Sequence, residues 1–168
     1  MASIALWANK NGCDKLNFTY KTYSAEDTIA LGREIGRRLH GGEVIAYRGG
    51  LGAGKTTITR GISEGMGLGD EVTSPTFALV NEYQKKDCQI SLIHFDMYRI
   101  TSGQDLETTG FFDYMDDDAV LAVEWSENID EDLPEDCIKI TINRLSDDER
   151  EIVIETCDGD VRFENIGN

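Results

Sequence analysis

The chain is short of basic residues, of proline and of histidine. Its 168 residues hold 16 lysines and arginines against 32 aspartates and glutamates, a formal charge of −16. Such an excess favours solubility and repels polyanions, though only over the roughly 8 Å that charge reaches at physiological salt. This argues against direct, general nucleic-acid binding as the main task, although a local basic spot can still exist. No stretch approaches the roughly 20 apolar residues that a membrane helix needs. There is no internal repeat, no low-complexity tract and no linker, so 1–168 reads as one domain with a sizeable core. The four cysteines (Cys13, Cys88, Cys137 and Cys157) form no C-x-x-C and no tight cluster with histidine. They are expected as reduced thiols of a cytoplasmic protein rather than as disulfides or a metal site. The opening "MASIALWANKNG" has one short apolar patch and no basic start, which argues against a secretory signal. Residues 1–15 are expected as an extension or an edge segment.

What is present is a regular alternation of elements. "LNFTYKTYS" (16–24) reads as an edge strand. Ser24 and Asp27 then form a capping box ahead of a helix over 25–40, whose buried stripe is Leu31, Ile35 and Leu39. Gly41 and Gly42 end it. "EVIAYRG" (43–49) is a short strand, and a helix is expected from about Gly54 to Met66 with Ile58 and Ile62 inward. Strands are expected at 77–84 and 89–96, and a short helix within "GQDLETTGFFDYM". "AVLAVEW" (119–125) is a continuous apolar run, as in a strand buried on both faces. "CIKITIN" and "REIVIET" alternate cleanly and predict an antiparallel hairpin with one wet face. Asp116, Asp117 and Asp118 read as a solvated loop. This order predicts an α/β fold whose mixed sheet is mostly parallel at its centre, flanked by helices and extended by the antiparallel C-terminal hairpin.

Between the strand at 43–49 and the following helix lies "GGLGAGKTT". Gly49, Gly54, Lys55 and Thr56 match G-x-x-x-x-G-K-[ST]. Glycines let the backbone wrap closely, so that successive N–H groups point at phosphate oxygens, and the helix N-terminus adds its partial positive charge. The phosphate-binding run is Gly50, Leu51, Gly52, Ala53, Gly54, Lys55, Thr56 and Thr57. Lys55 is expected to stand exposed in the cleft and reach the β and γ phosphates, with the Thr56 hydroxyl on Mg²⁺. By background composition the bare pattern arises in roughly one chain of this length in a hundred, so the strand before it and the helix after it carry the reading.

Phosphate-loop enzymes add an acid at the end of a buried strand to hold Mg²⁺ directly or through water. Glu124 closes "VLAVE" and Asp96 closes "LIHFD". Glu124 ends the strand that reads as central and is the preferred Mg²⁺ residue. For Asp96 the pattern leaves a functional and a solvent-facing carboxylate equally open. His94 reads as a core histidine rather than a base. The hydroxyls of "TSPT" (73–76) suit either a γ-phosphate sensor or a plain turn. The cluster Arg33, Arg37, Arg38 and His40 suits a helix C-terminus, with contact to tRNA or a partner as the alternative. No N-K-x-D follows the phosphate loop, which argues against a Ras-like GTPase. Few arginines follow it either (Arg60 and Arg99, then Arg144), which weakens a metabolite kinase. A free-standing kinase and a nucleotide-gated binding module remain alternatives.

Five blocks together, "GGLGAGKTTITRG", "SPTFALVNEY" (74–83), "HFDMYRI" (94–100), "DLETTGFFDY" (105–114) and "VEWSE" (123–127), resemble the TsaE (YjeE) family in order and spacing. The resemblance covers about half the chain, from Glu43 to Glu127. It implies a P-loop NTPase core and a weak ATPase of tRNA threonylcarbamoyladenosine (t6A) biosynthesis, stimulated by partners. It further implies ATP as substrate with Mg²⁺, and the TsaB–TsaD pair as partner, with tRNA reached only through that complex. Family roles carry over to Lys55 and Thr56, to Glu124 at Mg²⁺ and to Asp96, and Trp125 falls on a family position near the nucleotide, with a plain core aromatic as the equally open alternative. Where the family often has an acid after the first loop glycine, this chain has Gly50.

Overall fold

The computed structural model describes residues 4–7, 15–116, 118–157 and 159–166. Eight strands form one mixed sheet: β1 (Ile4–Trp7), β2 (Lys15–Thr22), β3 (Val44–Arg48), β4 (Val80–Tyr83), β5 (Ser91–Asp96), β6 (Ala119–Glu124), β7 (Ile138–Arg144) and β8 (Arg150–Cys157). Their order across the sheet is β1-β2-β8-β7-β3-β6-β5-β4. The four central strands β7, β3, β6 and β5 are parallel. On one side β4 adds antiparallel to β5, and on the other β8, β2 and β1 continue antiparallel from β7. The expected α/β fold with a central parallel sheet and an antiparallel C-terminal hairpin is what forms. All six residues of β6 are buried, as its unbroken apolar run requires of a strand covered on both faces.

Three helices are present among the described residues, α1 (Ala25–Gly36), α2 (Lys55–Gly65) and α3 (Gly103–Thr108), with 3-10 turns at Phe111–Tyr114 and Ser126–Ile129. The cap expected at Ser24 forms, with its hydroxyl accepting from the Asp27 N–H at 3.0 Å. Asp27 reaches back to the N–H of Tyr23 rather than to Ser24 itself. α1 is shorter than its periodicity predicts. It stops at Gly36, and Leu39 is buried from the turn that follows. The strand expected from Phe77 starts only at Val80, because residues 75–79 form a turn in which Ala78 and Leu79 both donate to the carbonyl of Pro75. The segment at 16–24 is not an edge, since β1 covers its outer side. Ile4–Trp7 is thus the edge segment, while the rest of 1–15, except Lys15 in β2, lies outside the described residues, as do Cys13 and Asp117.

α1 and α2 lie against each other on one sheet face, over Ile45, Tyr47, Ile140 and Ile154. Their contact is made by backbone. Gly32 on α1 meets Gly61 on α2, while Gly36 lies against the backbone of Ile62 and Gly65 against that of Arg33. A Cβ at Gly61 would lie 2.1 Å from the carbonyl oxygen of Ile29, and one at Gly36 would lie 2.2 Å from that of Ile62. The other sheet face is filled by Phe95, Met97, Leu106 and Phe111 beneath α3 and the first 3-10 turn. This arrangement holds α2, and the loop at its N-terminus, in fixed relation to the C-terminal ends of the parallel strands.

Candidate functional site

The loop between β3 and α2 is shaped by glycine where no other residue serves. Gly49 has φ 143° and Gly54 has φ 117°, both in the region that L side chains avoid. Gly49 also lies close to β7, since a Cβ there would stand 2.7 Å from the carbonyl oxygen of Ile142. Gly54 caps α2 with no side-chain bond, so the free N–H groups of the first turn face the loop. Leu51 at the tip is 91% exposed, while Ala53 turns into the core.

Lys55 departs from expectation. It is 5% exposed, not open in the cleft. Its ammonium donates to the carbonyls of Gly49 at 2.7 Å and Gly50 at 2.9 Å. It also lies 4.8 Å from the centroid of the Trp125 ring, a cation–π contact. The long apolar stem explains the burial: it packs inside the loop while the charged end stays on polar atoms. Trp125 itself has φ 56°, and its ring packs against Tyr98 at 5.0 Å. The left-handed backbone at a bulky residue turns the chain out of β6 and sets the indole beside Lys55.

β5 and β6 place the two acids side by side, with Asp96 opposite Glu124 in the parallel register. Both are buried, so neither is a solvent-facing strand end. Glu124 Oε1 accepts from the Thr56 hydroxyl at 3.0 Å and lies 3.0 Å from His94 Nε2. Burial pushes the Glu124 carboxyl up, but the bond and charge of His94, the Thr56 hydroxyl and the nearby Lys55 outweigh it and hold its pKa below the ordinary carboxylate value. Asp96 Oδ1 accepts from the backbone N–H of Tyr98 at 2.9 Å, which fixes its carboxylate. Lys55, Thr56, Glu124, Asp96 and Trp125, five residues read as site candidates, thus converge on one end of the sheet. Among the described residues no group of three His, Cys, Asp or Glu side chains is arranged to hold a metal unaided. Thr56 and Glu124 fit a Mg²⁺ that takes most of its ligands from phosphates and water.

Around this centre stand residues that sequence reasoning missed or left open. Arg150, at the start of β8, donates from Nε to the carbonyl of Ala53 at 2.7 Å. Its Nη1 ties down the β7–β8 turn through Ser146, Asp147 and Glu149. No motif marks it, because the contact joins positions almost a hundred residues apart. A small groove of about 80 Å³ runs from Gly54 and Thr57 between the start of α1 and that same turn. In the "TSPT" segment Ser74 and Thr76 share a hydrogen bond. Arg99 donates to the Thr76 carbonyl, tying that segment to the one after β5. Phe77 beside it is 98% exposed. Arg33, Arg37 and Arg38 are paired with Glu26, Glu64 and Glu34, the bland arrangement for a charged helix.

The family model described as "Threonylcarbamoyl adenosine biosynthesis protein TsaE" matches residues 22–152. The chain belongs to the TsaE family. It is 36% identical over 157 residues to the tRNA threonylcarbamoyladenosine biosynthesis protein TsaE of Bacillus subtilis, covering 89% of this chain and 97% of that one. To the Haemophilus influenzae TsaE it is 42% identical over 116 residues, covering 68% and 72%. The crystal structure of Bacillus subtilis YdiB superposes with a TM-score of 0.65 at 35% identity, over 83% of this chain and 85% of that one. As a TsaE protein the chain takes part in threonylcarbamoyladenosine biosynthesis. Among the described residues no helix is long and apolar enough to cross a membrane.

Proposed function

We propose that this TsaE protein is a Mg²⁺-dependent ATPase that drives turnover of a TsaB–TsaD complex modifying position 37 of tRNAs that read ANN codons. The observation that carries the reading is the contact of Thr56 with Glu124 beneath the loop that holds Lys55. Phosphates lie over the N–H groups from Gly50 to Thr57. Lys55 exchanges the carbonyls of Gly49 and Gly50 for β and γ oxygens, a small movement for a flexible chain already at the loop. Thr56 and Glu124 would hold Mg²⁺, which would supply positive charge to the transferred phosphoryl group. Asp96, fixed by Tyr98, orients water towards the γ phosphate. The nucleoside leaves the loop past Thr57, where Ser24 and Thr28 stand on one wall of the small groove and Arg150 on the other. Trp125 packs near the nucleotide.

Such a centre stabilises charge and positions groups, and a partner can supply more of both. The exposed Leu51, Phe77 and Tyr98 stand on the loop, the "TSPTF" segment and the "HFDMYR" segment. Nucleotide binding orders these into the face that meets TsaB–TsaD, and hydrolysis weakens the dock and resets it, through differential affinity for the two states. The test is ATP hydrolysis by wild type and Lys55→Ala, each with and without purified TsaB–TsaD. Stimulation of wild type by the pair and loss in the variant are expected. A wild-type rate indifferent to the pair, with rapid phosphate transfer to a free metabolite, would replace this reading with a kinase.

A further inference from the structure

We propose that His94 is a positioning residue for Glu124, holding its carboxylate through an Nε2–H donor so that one oxygen is presented to the metal. This rests on the nucleotide-hydrolase reading above. His94 sits in β5 between Ile93 and Phe95, opposite Ala122 of β6, and its side chain is fully buried. A histidine at such a place is costly unless its nitrogens are used, because a buried polar atom without a partner loses the hydrogen bonds it had in water. Nδ1 has no partner among the described residues. The ring is therefore not a core histidine with both nitrogens satisfied. Its single bond is the one to Glu124 Oε1 at 3.0 Å. A carboxylate oxygen only accepts, so Nε2 is the donor.

The geometry gives that bond a purpose. Oε1 receives two donors, His94 and the Thr56 hydroxyl, one from β5 and one from the first turn of α2. Two donors from different elements fix both the position and the plane of the carboxylate, and they leave Oε2 for the shell of Mg²⁺. A role as general base does not fit, since the ring is closed off from solvent and its Nε2 is already engaged. Residues behind metal ligands commonly work in this way, and their loss typically costs about 10–100-fold in metal affinity or activity.

The experiment uses the full chain with ADP bound, titrated with Mn²⁺ as a paramagnetic substitute for Mg²⁺ and followed by electron paramagnetic resonance. His94→Gln can place an amide N–H where Nε2 stands, His94→Asn reaches only as far as Nδ1, and His94→Leu has no donor. The inference expects Mn²⁺ affinity to fall about 10–100-fold in the Leu and Asn variants and to recover largely in Gln. ADP affinity without metal should stay within about twofold throughout. Should Leu fail to fold, the contrast between Gln and Asn still decides. Wild-type metal affinity in the Asn variant, or an equal loss in Gln and Asn, would overturn the inference while leaving the ATPase reading intact. A wild type that binds no ADP would overturn both.

Discussion

Gly61→Ala should destabilise the protein although alanine is the better helix former. The new Cβ would stand 2.1 Å from the Ile29 carbonyl oxygen and 2.9 Å from both the Ile29 carbonyl carbon and the Gly32 Cα. These are backbone atoms of α1 and no rotamer change moves them. The helices must part by about 1 Å, enough to forfeit a quarter to a half of each dispersion contact along the seam. Overpacking of this kind costs about 1–3 kcal/mol, and rigid backbone neighbours place Gly61 at the upper end. Against it stands a gain in helix propensity of about 1 kcal/mol. The net loss is about 2 kcal/mol, or roughly 4–8 °C in melting temperature for a chain of this size.

The control is Gly103→Ala in α3, where an added Cβ meets nothing within 4 Å and stability should be unchanged or slightly raised. Chemical denaturation of both variants, fitted with a common slope, reads the difference. The pair Gly32→Ala and Gly61→Ala should cost less together than the sum of the two, because the first opens the gap that the second fills. A Gly61→Ala variant as stable as Gly103→Ala would refute the close helix contact. Since α2 carries the proposed phosphate loop at its N-terminus, the same substitution should also weaken nucleotide binding.

Lys55→Ala should abolish hydrolysis and weaken ATP binding, measured by phosphate release and calorimetry. Because the side chain is buried against Trp125, a stability loss of about 1 kcal/mol is expected as well. Glu124→Gln should reduce hydrolysis far more than ATP binding, since an amide keeps the shape and loses the charge. The same substitution tests pH dependence. The folded-state pKa of Glu124 is lowered, so its contribution to stability is present above the ordinary carboxylate pKa and is lost as pH falls through the folded value. Melting curves of wild type should drop more steeply on acidification than those of Glu124→Gln. Arg150→Ala removes the donor to Ala53 and the clamp on the β7–β8 turn, and should loosen ADP binding about tenfold with Lys55 and Glu124 untouched. Calorimetry showing wild-type affinity would remove Arg150 from the site. In calorimetry, ADP should bind more tightly than GDP.

The fold was legible where apolar pattern and turn chemistry agreed. β6 is an uninterrupted buried run and β7–β8 an alternating hairpin, and each forms where its period places it. The reading failed where neither signal operates. Leu39 keeps the helical spacing but is buried by a turn, since α1 has ended at Gly36. Phe77 to Leu79 look like strand residues, yet the turn begun by Pro75 takes the N–H groups of Ala78 and Leu79. The glycines at 32, 36, 61 and 65 show no apolar period of their own. Their meaning lies in a second helix, and a hydrophobic stripe analysis passes over them.

At the site, the residues whose proposed role rests on local backbone shape were the readable ones. Gly49, Gly54, Lys55 and Thr56 lie within eight positions, and their spacing encodes the loop directly. Glu124 and Asp96 were readable as strand ends, but that they lie side by side depends on β5 and β6 being neighbours in the sheet. His94 and Arg150 were not readable as site residues, because each acts on a residue that sequence separation hides: Glu124 is thirty positions from His94 and Ala53 is ninety-seven from Arg150. The burial of Lys55 has the same origin, since Trp125 covers it only through the left-handed turn at the end of β6. A motif therefore identifies the groups proposed to touch phosphate, and the sheet order determines which buried side chains hold those groups in place.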